Sequence, residues 1–160
     1  MCSSDLKYYE NALKIELDVF GENHPHVACS YINTGIVYSS LGDYEKALKY
    51  HENALKIELD VFGENHPGVA NSYNNTGSVY YSLGDYEKAL EYHENALKIG
   101  LEVFGDNHPD VANSYNNIGI LYNSLGDYEK ALKYHENALK IRLDFFGENH
   151  TDVAYSYNNI

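Results

Sequence analysis

A His-Pro junction recurs at His24-Pro25, His66-Pro67 and His108-Pro109, and His150-Thr151 continues the series, so four histidines stand at intervals of 42 residues. The text between them is nearly the same each time. From Pro67 to Phe104 and from Pro109 to Phe146 it differs at few positions, among them Thr76 against Ile118, Tyr81 against Asn123 and Gly100 against Arg142. A fixed period of this size constrains the fold more than any other property of the chain. Each unit is too small to bury its own apolar face, and so buries it against the units before and after. The period divides the chain into repeats at 25–66, 67–108 and 109–150, with the end of a truncated repeat at 7–24 and the start of another at 151–160.

Each unit reads as two helices. From Pro25 to Leu41, residues Ala28, Tyr31, Gly35, Tyr38 and Leu41 follow the three-to-four spacing of one helix face. Proline suits the first turn, where its missing N–H costs nothing. Gly42-Asp43 is a tight turn, with Asp43 placed to cap the next helix and Glu45 near its positive end. That helix, Tyr44 to Phe62, carries Ala47, Leu48, His51, Ala54, Leu55 and Leu59 on one side. Glu45–Lys49, Glu52–Lys56 and Glu94–Lys98 are spaced as i,i+4 pairs on the outside. The opening helix, Lys7 to Phe20, has Tyr8, Ala12, Ile15 and Val19 as its apolar series and stops at Gly21. Gly100 stands mid-helix, where an exposed glycine weakens the helix. The expected architecture is all-α, an array of antiparallel helix pairs.

Residues 1–6 break the period. The repeat would place Asp-Tyr-Glu-Lys-Ala where Met1-Cys2-Ser3-Ser4-Asp5 stands, and Cys2-Ser3-Ser4-Asp5-Leu6 is also the in-frame translation of a common sequencing-adapter end. They are expected to be a non-native leader and take no part in function.

Charge excludes two classes of partner. With 24 acidic and 11 basic residues the net charge is −13. Nucleic-acid phosphates and anionic membrane surfaces both call for a basic face. Cys2 and Cys29 are too few for a disulfide framework and read as free thiols of a reducing compartment; with no secretory signal pattern, the expected location is cytoplasmic.

These units resemble the tetratricopeptide (TPR) repeat. Tyr73, Gly77, Tyr80, Ala89 and Ala96 match the family pattern in the central unit, as do Tyr31, Gly35, Tyr38, Ala47 and Ala54 before it and Tyr115, Gly119, Tyr122, Ala131 and Ala138 after it. Thr34 and Thr76 stand where the family has Leu, and His51, His93 and His135 replace an aromatic. The longer period and the Gly-x-x-His-Pro-x-Val-Ala connector are similar to the kinesin-light-chain branch. The resemblance implies a right-handed α-solenoid of helix pairs whose first helices line a concave peptide-binding groove.

If Tyr73, Gly77 and Tyr80 pack inward, the other face of the central first helix carries Asn71, Asn74, Asn75, Ser78, Tyr81 and Ser82. The next unit adds Asn113, Asn116, Asn117, Asn123 and Ser124, and Asn33, Asn158 and Asn159 continue the column. Two readings are open. The asparagines keep a solvated face polar, or they form a ladder of amides that donate to and accept from an extended peptide backbone. The second is the expectation carried forward: a protein or peptide partner, neutral or basic, held by Asn33, Asn71, Asn74, Asn75, Ser78, Tyr81, Asn113, Asn116, Asn117, Asn123, Asn158 and Asn159. No Lys or Arg stands on a first helix to clamp a carboxylate, the mode of some TPR domains.

Histidine offers little else. His51, His93 and His135 occur once per unit, and side chains on stacked helices need not converge at metal-ligand distance. No catalytic series and no phosphate loop recurs, so no enzyme activity, metal or cofactor is expected. An alternative to the binding scaffold is a structural spacer or regulatory arm of a larger protein. End-to-end self-association is also expected, because Tyr8, Ala12 and Ile15 at one end and Val153, Ala154 and Tyr157 at the other lack their repeat neighbours.

Overall fold

A computed structural model describes residues 3–160, with side chains from Leu6 onward. The described chain is eight α-helices: α1 Ser3–Phe20, α2 Pro25–Ser40, α3 Tyr44–Phe62, α4 Pro67–Leu83, α5 Tyr86–Phe104, α6 Pro109–Leu125, α7 Tyr128–Phe146 and α8 Thr151–Asn159. Each packs against the helix before it and the helix after it, so the chain is an all-α solenoid. Met1 and Cys2 of the expected leader lie outside the described residues, while Leu6 packs beside Tyr38, Ala47 and Val79.

The first helix of every pair begins on a histidine cap. Nδ1 of His24, His66, His108 and His150 accepts the backbone N–H two residues on, at 3.0–3.2 Å. Each of these rings also stacks on the phenylalanine that ends the preceding helix, for example His66 on Phe62 at 4.2 Å between centroids. One side chain thus satisfies an orphan helix N–H and sets the angle between successive helices. The second helices begin on Asp43, Asp85 and Asp127, whose carboxylates accept from Lys46, Lys88 and Lys130 N–H. The same three lysines return an ion pair to their caps and lie about 5 Å over the rings of Tyr38, Tyr80 and Tyr122. Among the described residues the i,i+4 pairs expected from spacing are not formed; the lysine ion pairs present are those of Lys46, Lys88 and Lys130 with the helix-start aspartates at i,i+3.

The core is built from triplets of helices. Leu55 of α3, Val69 and Ala70 of α4 and Ile99 of α5 form one cluster, and Leu13, Val27, Ala28 and Ile57 form its equivalent one repeat earlier. Tyrosines tie each pair internally: Tyr31 meets Tyr50, Tyr73 meets Tyr92 and Tyr115 meets Tyr134, with centroids 5.7–5.9 Å apart.

Three sequence expectations are corrected here. In α1 the packed residues are Leu6, Leu13 and Leu17, while Tyr8, Ala12, Ile15 and Val19 are exposed. Those four occupy the positions of Tyr50, Ala54, Ile57 and Val61, the first three of which pack in α3. Leu41 is exposed because the helix ends before it. Gly100 is buried, as are its counterparts Glu58 and Arg142, because this position lies under the start of the following first helix.

Candidate functional site

Across α2 and α4 no residue is Asp, Glu, Lys or Arg, and α6 carries only Asp110 at its first turn. Their open side is therefore an uncharged surface in a strongly acidic chain. Among the described residues, Asn33, Asn71 and Asn158 are exposed and Asn75 and Asn117 half-buried, and none of these five makes a hydrogen bond within the protein.

The remaining asparagines are engaged. Asn74 Oδ1 accepts from His93 Nδ1 at 2.8 Å, and its Nδ2 donates to Ser114 Oγ on the next first helix. Asn116 is 4% exposed and accepts from Asn159 Nδ2 at 2.7 Å. Asn113 accepts from the Arg142 guanidinium at 2.8 Å, and Asn123 Nδ2 lies 3.5 Å from His135 Nε2. The expectation that Asn116 lines an open surface is thus corrected, and Asn74, Asn113, Asn123 and Asn159 hold neighbouring helices together. The reason is angular. Consecutive helical residues diverge by about 100°, so Asn75 and Asn74 cannot both point into the open side. Ser78 is exposed, but its hydroxyl proton is donated to Asn74 O. Tyr81 is 36% exposed, with its hydroxyl 3.2 Å from Ser124 Oγ.

Sequence reasoning put the second-helix histidines among the packing residues but missed what they pack against. His51, His93 and His135 are nearly fully buried and lie against Gly35, Gly77 and Gly119. Burial pulls the imidazoles of His51 and His93 down to about 4, and that of His135 below its ordinary range with help from Arg142. They are neutral at ordinary pH. Their signal was present in the sequence: the glycine and histidine recur together in every unit, 16 residues apart.

His51 and His93 floor a recurring hollow on the open side. Between α2 and α4 it has a volume of about 240 Å³, lined in part by Ser39, His51, Asn75, Ser78 and Val79. Between α4 and α6 it has a volume of about 180 Å³ and is lined by the residues 42 positions on, including Tyr81, His93, Asn117, Ile120 and Leu121. His51 Nδ1 and Ser39 Oγ are buried without a hydrogen-bond partner. Among the described residues no group of three or more His, Cys, Asp or Glu could hold a metal ion, and no helix is long and apolar enough to cross a membrane.

A tetratricopeptide-repeat family model matches residues 6–57, 40–99, 69–144 and 112–160. Among solved structures, BtubC (BKLC) from P. vanneervenii is 32% identical with a TM-score of 0.82, over 91% of this chain and 58% of that one. The chain therefore spans somewhat more than half the length of that relative. A candidate kinesin light chain of Podosopora anserina with nearly identical TPR-like repeats gives a TM-score of 0.83 at 19% identity, over 96% of this chain and 73% of that one. The apo form of RapI gives 0.81 at 23% identity, over 96% and 53%. At those identities the last two show the fold alone. No curated protein sequence matches the chain.

Proposed function

Because the chain belongs to the tetratricopeptide-repeat family, and is of its kinesin-light-chain-like type, we propose that it is a non-catalytic scaffold that holds an extended peptide, or an extended segment of a partner protein, in the concave groove lined by α2, α4 and α6. The fold supports an interaction scaffold in general. The observation that carries the finer reading is the uncharged face on which Asn33, Asn71, Asn75 and Asn117 keep their amides unspent. An amide offers both a donor and an acceptor, so a row of them follows a peptide backbone whatever its side chains. The net charge of −13 steers neutral or basic segments toward the groove and turns acidic ones away, chiefly through association rate.

The test is a peptide-array screen followed by titration of two paired variants. A neutral hydrogen bond contributes about 0.5–1.5 kcal/mol net, so Asn75→Ala with Asn117→Ala weakens binding by roughly tenfold. Lys88→Ala with Lys130→Ala leaves it nearly unchanged, because those side chains are exposed and occupied with Asp85 and Asp127. The opposite result places the binding surface on the convex side and overturns the reading.

A further inference from the structure

We propose that the groove reads two side chains of its bound segment: a carboxamide, from Asn or Gln, in the hollow between α2 and α4, and an aliphatic side chain in the hollow between α4 and α6, three residues away along the segment. This rests on the groove reading above and gives it a specificity.

The two hollows are built from the same positions, one period apart, yet their walls differ. In the first, His51 is 2% exposed and its Nδ1 has no partner, and Ser39 Oγ is likewise buried and unpartnered. The cause is visible in the repeat. At the position of Asn74, which satisfies His93 one unit later, the earlier unit has Ile32. Two buried polar atoms without partners are costly in the empty groove. A carboxamide is the side-chain group that brings both a donor and an acceptor to such a pair. A charged group is disfavoured, since the lining contains no charged residue and His51 is neutral.

In the second hollow no buried polar atom is left without a partner. His93 Nδ1 is bonded to Asn74. Ser39 is replaced by Tyr81, whose hydroxyl already meets Ser124, while Ser78 and Val79 are replaced by Ile120 and Leu121. What remains is a mostly apolar hollow of about 180 Å³, which gains from burying an aliphatic side chain.

The spacing follows from helix packing. The hollows are one first helix apart; α2 touches α4, and α4 is tied to α6 through Asn74–Ser114 and Tyr81–Ser124, and helices in contact stand roughly 8–10 Å apart. A polyproline II segment has three residues per turn and rises about 3.1 Å per residue, so side chains three apart point the same way and lie roughly 9 Å from each other. A β-strand alternates its faces and sends residues three apart to opposite sides. Another recurring hollow, at the loop edge around Glu22, Lys56 and Asp60 and again around Asp106, Lys140 and Asp144, has charged walls and no unpartnered buried atom in its lining. It does not compete for this role.

The experiment uses the whole chain and fluorescein-labelled proline-rich octapeptides that carry Gln and Leu three residues apart, in both orders, followed by anisotropy. In the better-binding order, Gln is expected to exceed its near-isostere Met, and also Glu, by fivefold or more. Ser39→Ala and His51→Phe each bring the Gln-to-Met ratio close to one without weakening the Met peptide. Ser39→Ala keeps the test valid should His51→Phe fold poorly. If Gln and Met peptides bind equally while Asn75→Ala with Asn117→Ala still weakens both, the carboxamide pocket is overturned and the groove stands. If no peptide binds, or binding ignores that asparagine pair, both readings fall.

Discussion

The imidazole of His93 lies so close to Gly77 that a Cβ built on the glycine would stand 2.9 Å from Nε2. The same closeness recurs between His51 and Gly35 and between His135 and Gly119. The glycine is therefore a seat for the ring, and the ring in turn forms the floor of the groove.

Gly77→Ala should destabilise the protein by about 1–3 kcal/mol, the usual cost of overpacking. The His93 ring is enclosed and cannot swing aside as the end of a flexible side chain would. Thermal melts of Gly77→Ala, His93→Ala and the double variant check this. The double variant should cost clearly less than the two single changes added, since the second removes the clash created by the first. Strict additivity would mean that the two residues do not act on each other.

Gly100→Ala should do the reverse. The site is buried, yet a Cβ there would meet only Val111 Cγ2, at 3.4 Å, an ordinary contact. Alanine then gains about 1 kcal/mol of helix propensity over glycine and raises the melting temperature. A lower one would show that Val111 cannot accept the methyl.

Stability should fall with acid in a defined window. His51 and His93 have folded values near 4, below their ordinary 6.5, so between those values the unfolded chain binds protons that the folded chain refuses. Their contribution is complete above about 6.5 and is lost as the pH falls through about 4, on the order of 3 kcal/mol for each as an upper bound. Burial shifts His135 in the same direction, while Glu58, which burial raises, offsets part of the effect. Urea titrations at pH 7.5, 5.5 and 4.5 measure it. The slope should flatten in the His51→Phe, His93→Phe double variant; an unchanged slope would locate the acid sensitivity elsewhere.

Self-association should follow from two exposed faces. Tyr8 and Ile15 are 74% and 62% exposed on α1, and Tyr157 is 59% exposed on α8. Tyr157 occupies the repeat position of Tyr31, and Tyr8 that of Tyr50, a pair that meets at 5.8 Å within the chain. Copies joined head to tail would bring Tyr157 of one against Tyr8 of the next, a heterologous contact that need not close. Sedimentation should show concentration-dependent growth that Tyr8→Glu with Ile15→Glu removes. A monomer across the range would sink the idea. Val153, expected with Tyr157 to lack its repeat neighbours, is 1% exposed, buried where α8 meets α7.

The repeat, the helix pairs, their breaks at glycine and the all-α solenoid were determined by the sequence alone. Period, apolar spacing and turn residues are local properties, and at 42-residue intervals they repeat the same local instruction. Tertiary structure decided how each polar side chain is spent. Asn74 and Asn75 are identical neighbours, but only Asn74 meets the ring of His93. Asn116 and Asn117 part in the same way, one buried and bonded to Asn159, the other half-buried without a partner. The histidines, ambiguous in sequence, became caps when placed before a helix and groove floor when placed against glycine. Which residue faces the groove depends on the angle at which one helix meets the next, and that angle is set by packing between residues far apart in the chain.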